Sequence, residues 1–116
     1  MVDNAIPLAQ ARENSTSAVS VHTPPTQHRD KVETIMLCNT SGSAATFRLF
    51  FDADGTTYDE TTALFWDSTL PANSTLTLEY DRGLYMANDS SNIAYRSSVA
   101  NAITISLWGV REFRNQ

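Results

Sequence analysis

The residues best equipped for chemistry lie in one short stretch, Asp52-Ala53-Asp54-Gly55-Thr56-Thr57-Tyr58-Asp59-Glu60. Asp52-x-Asp54-Gly55 invites a calcium reading. An EF-hand loop sets three acidic or amide positions before its glycine and a glutamate six residues after it. Here the glycine comes too early, and Glu60 falls five residues after Gly55. Two readings stay open: a different calcium loop with Asp59 as a further ligand, or a solvated turn opened by Asp and closed by Gly. Asp52, Asp54, Asp59, Glu60 and Asp67 also offer carboxylates for glycoside hydrolysis. That chemistry needs two carboxyl groups held about 5 to 9.5 Å apart across a cleft, and spacing along one loop does not supply a cleft.

The other reactive side chains are isolated. His22 and His28 stand six residues apart in a Pro-containing stretch, which is not a metal-ligand spacing on a helix or hairpin, so each reads as an exposed polar residue. Cys38 is the single cysteine; it excludes an intrachain disulfide and reads as a small buried hydrophobe inside Val32–Cys38. No nucleophile elbow, phosphate loop or cysteine pair occurs. The expectation is therefore a protein that is not an enzyme, with no catalytic residue, no cofactor and no metal ligand. Tyr58, Trp66, Tyr85, Tyr95 and Trp108 remain as platforms on which a sugar could stack. In a strand, neighbouring Phe65 and Trp66 point to opposite faces, and Trp108 lies opposite Ile103, Ile105 and Leu107. An outward tryptophan implies a subunit interface or ligand surface; an inward one is core.

The elements that must carry these side chains are strands. The chain has 116 residues, one domain's worth. Its net charge is −5 with no basic run, which argues against nucleic acid. The first eight residues lack the basic and apolar regions of a secretory signal. No stretch approaches the ~20 apolar residues that span a bilayer as a helix, so no membrane partner is expected. Asn-x-Ser/Thr at Asn14, Asn39, Asn73 and Asn88 then reads as turn chemistry.

From Lys31 onward, short alternating runs recur about every ten residues with turn signals between them. Val32–Asn39 and Ala45–Asp52 read as a β-hairpin. Thr62–Ser68, Thr75–Tyr80, Leu84–Ala87 and Ile93–Ser97 follow as separate strands. Ala102 to Phe113 is the last, with Gly109 marking a bulge or a close backbone contact, after which the inner face shifts to Val110 and Phe113. The expectation is an all-β antiparallel sandwich of seven to eight strands, jelly-roll-like or Ig-like, over residues 31–116. Residues 1–30 hold few apolar side chains and no aromatics. They read as an extended N-terminal arm, with a short strand near residues 18–22; deleting residues 1–25 is expected to leave a folded domain.

Three segments carry a resemblance: Leu37-Cys38-Asn39-Thr40-Ser41-Gly42-Ser43-Ala44-Ala45-Thr46, then Leu70-Pro71-Ala72-Asn73-Ser74-Thr75-Leu76-Thr77-Leu78, then Ala102-Ile103-Thr104-Ile105-Ser106-Leu107-Trp108-Gly109-Val110. Residues 32–110 resemble short β-rich virion structural proteins of tailed bacteriophages. The resemblance implies a protein made in the host bacterial cytoplasm and built into the virion. It implies capsid decoration (a cement protein) first, and a neck, tail or fibre accessory second. A carbohydrate-binding module is the competing reading of the same fold. The implied partners are the major capsid protein or other virion proteins and further copies of the chain, a trimer by analogy. Ile6, Pro7, Leu8, Val19, Val21, Pro24, Pro25 and Trp108 are the expected partner contacts.

Overall fold

Period-two alternation places the strands in this computed structural model, which describes residues 5–113. They are β1 (Ile6–Arg12), β2 (Val19–His22), β3 (His28–Asn39), β4 (Ala45–Asp52), β5 (Ala63–Leu70), β6 (Thr75–Met86), β7 (Asn92–Ser97) and β8 (Ile103–Phe113). In β8, Ile103, Ile105 and Leu107 are buried, while Thr104, Ser106 and Trp108 face away from the core. Leu76, Leu78 and Tyr80 of β6 do the same against the core, with Thr75, Thr77 and Glu79 outward.

The strands form two four-stranded sheets, ordered β1-β8-β3-β6 and β2-β7-β4-β5, and every pairing is antiparallel. Successive strands change sheet at every step except β4 to β5. That connectivity is a jelly roll and not an Ig-like arrangement. Phe47, Leu49, Ile93 and Tyr95 from one sheet meet Ile35, Leu37, Ile105 and Leu107 from the other in a continuous core.

Four sequence expectations need correction. Val32–Asn39 and Ala45–Asp52 do not form a hairpin; β3 and β4 lie in opposite sheets. Alternation fixes which face a strand buries, not which strand it pairs with. The buried Asn39 side chain secures the crossing: Nδ2 donates to Ser43 O at 2.9 Å and Leu70 O at 3.0 Å, while Oδ1 accepts from Ser41 N at 2.9 Å. Asp81-Arg82-Gly83 does not end a strand either. Val32 faces Leu84 and Thr34 faces Glu79, so residues 80–83 bulge out of one continuous β6, with Gly83 at φ +74°.

Residues 6–22 are not an arm set apart from the core. β1 pairs with β8, and β2 pairs with β7. Leu8, Ala9, Ala11, Val19 and Val21 pack against the core. The small residues of β1 suit a half-exposed edge strand, where Pro7 costs little. β3 begins at His28 and runs through the expected boundary at residue 31.

The inner face of β8 also does not shift at Gly109. The phase continues through the buried Gly109 to Arg111, leaving Val110 on the outer side and Phe113 73% exposed. The extra residue sits in β3, between Val32 and Thr34. Gly109 is required by close approach: a Cβ there would stand 1.9 Å from Lys31 O and 2.9 Å from Lys31 C. Those atoms are backbone and cannot swing aside. Gly109→Ala is expected to lower the unfolding free energy by about 3 kcal/mol, the upper end of overpacking costs. Urea denaturation checks it; a change within about 0.5 kcal/mol, as for a neutral surface site, would contradict it.

Candidate interaction surface

The acidic loop closes on itself. Asp52 is nearly buried; its Oδ1 accepts from Asp54 N at 3.1 Å and its Oδ2 from Thr57 N at 2.8 Å. The backbone N–H of Thr57, then that of Asp54, holds the carboxyl below its ordinary pKa. Asp59 accepts from Thr61 N at 2.8 Å. Tyr58 reaches from the same loop to donate to Asn92 Oδ1 at 2.7 Å, and Asn92 Nδ2 donates to Ser20 Oγ at 2.8 Å. The loop is thereby tied to β7 and β2. Among the described residues, no three His, Cys, Asp or Glu side chains converge as metal ligands would.

His22 is not the exposed residue expected. Its Nε2 lies 2.6 Å from Oδ2 of Asp30, which is 0% exposed. Arg111 closes the cluster, donating from Nε to Asp30 Oδ1 at 2.9 Å and from Nη2 to Oδ2 at 3.1 Å. Burial works to raise the Asp30 pKa, but the hydrogen bonds from Arg111 and His22 outweigh it, and the net shift is downward. This triad ties β2 of one sheet to β3 and β8 of the other. His28 stands apart, donating from Nδ1 to Thr26 O at 2.9 Å with its ring 4.4 Å from that of Phe113. Cys38 is half-buried on the outer face of β3.

Both tryptophans face outward, on opposite sides of the sandwich. Trp66 is 40% exposed on β5, an edge strand, while Phe65 turns inward onto Phe47. Two neighbours pack on the indole. Phe50 meets it edge-on at 6.3 Å, and the Arg48 guanidinium lies over it with Cζ 3.6 Å from the ring centroid. Asp67 fixes that guanidinium through two bonds of 2.7 and 3.0 Å. Leu64 adds a second exposed apolar side chain on the same strand. Neither Leu64 nor Arg48 was singled out from the sequence, although Leu64 precedes Trp66 by the two residues that put side chains on one face. Tyr95 is core: its hydroxyl donates to Ile103 O at 2.9 Å and accepts from Glu13 N at 3.0 Å.

Trp108, 39% exposed, stands opposite Pro7 of β1 on the outer face of the other sheet. A bulge between Pro7 and Ala9 opens a groove of about 220 Å³ there, lined by Pro7, Ala9, Gln10, Ser106 and Trp108. Of the expected contacts, Ile6, Pro7 and Trp108 come together at this edge, where Ile6 faces Gly109. Leu8, Val19 and Val21 instead pack on the core, and Pro24 is buried. Their inward phase follows from the pairing of β1 and β2, which the sequence pattern did not reveal. Pro25 is exposed in the β2–β3 connection.

No family model matches the chain, and no curated protein matches it. Among solved structures, the coat protein dimer of Tobacco streak virus is similar at a TM-score of 0.48 and 11% identity, over 98% of this chain and 86% of that one.

Proposed function

We propose that this chain is a non-enzymatic structural protein of a virion, a cement protein that decorates the outside of a capsid. The observation that carries the reading is the exposed Leu64–Trp66 patch on edge strand β5, with Trp66 packed against Phe50 and against an Arg48 that is paired with Asp67. A large aromatic already ordered before binding loses little entropy when it docks, which is how interface anchors gain affinity. The supporting fold is a rigid jelly roll, an architecture used in viral capsids and also in lectins. Fold alone does not fix function; the resemblance of residues 32–110 to short phage virion proteins adds the virion reading. The acidic side chains point the same way, because Asp52, Asp59 and Asp67 are engaged by the protein's own donors. In this reading the chain is made in the host bacterial cytoplasm, acts without cofactor, and docks on the major capsid protein as a homo-oligomer, a trimer by analogy.

Imaging of purified particles, with co-sedimentation of added protein, tests it. Density for the chain is expected on the outer head surface. Trp66→Ala should weaken particle binding by about 2 kcal/mol or more, the range of an interface anchor. Density on the neck, tail or fibres would replace decoration with an accessory role. Absence from particles would overturn the virion reading.

A further inference from the structure

The Trp108 groove lies on the sheet face opposite Trp66, away from the surface assigned to assembly. We propose that it binds a single neutral pyranose ring, as a free sugar or as one unit of a glycan. Its walls divide into two kinds. Trp108 and Pro7 supply apolar surface, and the half-exposed indole is the aromatic ring on which the C–H side of a sugar ring would rest. Gln10 and Ser106 supply polarity at the same place, facing each other across β1 and β8. Gln10 Nε2 donates to Ser106 Oγ at 3.2 Å. That bond aligns the pair and leaves the amide oxygen, a second amide proton and the hydroxyl proton to meet vicinal hydroxyls.

Charge and size narrow the ligand. None of the five lining residues is ionisable, so the groove offers no counter-charge to a uronate, sialate or phosphorylated sugar. Its volume of about 220 Å³ falls below the roughly 300–1,000 Å³ of pockets that enclose drug-sized ligands. One ring fits, and the open side lets a chain continue in either direction. A proline-rich peptide also favours aromatic grooves, but it reads a row of aromatics along an extended ligand. Here a single indole lines the groove. A shallow one-ring site implies a Kd on the order of 1 mM, made useful by many copies acting together.

Saturation-transfer NMR on the full chain tests this with the methyl glycosides of glucose, galactose, mannose and N-acetylglucosamine, alongside a polyproline peptide. At least one glycoside should show transfer and titrate in the millimolar range. Trp108→Ala should weaken it by about tenfold or more, the effect of losing one stacking surface. Gln10→Leu, at an exposed edge position, should weaken it several-fold without touching the core. Tyr85→Ser, a variant of an exposed aromatic on β6, should bind as wild type. Silence from all four glycosides, binding unchanged in both groove variants, or binding of the peptide alone would overturn the proposal. None of these outcomes depends on particle attachment, so the assembly reading stands or falls separately.

Discussion

A chain lacking residues 1–25 is expected not to fold. The deletion removes β1 and β2, the edge strands beside β8 and β7. It strips Leu8, Ala9, Ala11, Val19 and Val21 from the core and uncovers Tyr95, Ile105 and Leu107. It also removes the Glu13 N–H that bonds Tyr95, the Thr16 carbonyl that accepts from Arg96, and the Thr23 hydroxyl that bonds the Ser91 carbonyl. A domain of this size has a net stability of about 5–15 kcal/mol. Losing two of eight strands and half of the ladder bonds of two others exceeds that margin. The newly exposed edges would also favour aggregation. Circular dichroism through a urea titration should show no cooperative transition for the truncated chain. A sharp transition with a midpoint near that of the full chain would show instead that these strands are dispensable.

The second large effect centres on Asp30. Removing one member of a buried charged cluster leaves the others unpaired, at a cost of about 3–5 kcal/mol. Asp30→Ala should fall near the low end of that range, because the Arg111 side chain remains 31% exposed and can be rehydrated. Urea denaturation would measure it. The Asp30→Ala/Arg111→Ala double variant should lose less than the sum of the single losses, since the two share one interaction.

The pH dependence has a definite sign. The Asp30 pKa is lowered on folding from an ordinary value of 3.8. Its contribution to stability is therefore complete above about pH 4 and is lost as pH falls through the depressed folded value. Asp52, Asp59 and Asp67 are shifted the same way by their donors and add to the same acid-side slope. Asp30→Asn should flatten that slope; an unchanged acid limb would remove Asp30 from it. The cluster is less a source of net stability than a point of registration, since well-packed apolar replacements often do as well. Its members come from β2, β3 and β8, so it forms only when the two sheets meet in this arrangement.

Legibility tracked the range of the interaction. Ile103, Ile105 and Leu107 announced β8 because alternation is a local property of an extended backbone. Thr75 to Tyr80 did the same for the start of β6. β1 was missed because Ala9 and Ala11 are small and Pro7 discourages a strand, while the pairing with β8 overrides both. The opposite facing of Phe65 and Trp66, and of Leu107 and Trp108, followed from phase alone, with core or interface left open. The surroundings of the two tryptophans did not: Arg48 reaches Trp66 from the neighbouring strand, and Gln10 meets Ser106 across 96 positions of sequence.

By itself, then, the sequence determined an all-β sandwich without a recognised catalytic motif. Tertiary structure alone decided that the sandwich is a jelly roll and that residues 6–22 supply two of its strands. It also brought His22 and Arg111 onto the buried Asp30 and opened a groove beside Trp108. The physical reason is that a strand's face is set by its own residues, whereas its partners are set by closing the whole core. Each of these features depends on which distant strands that closure brings together.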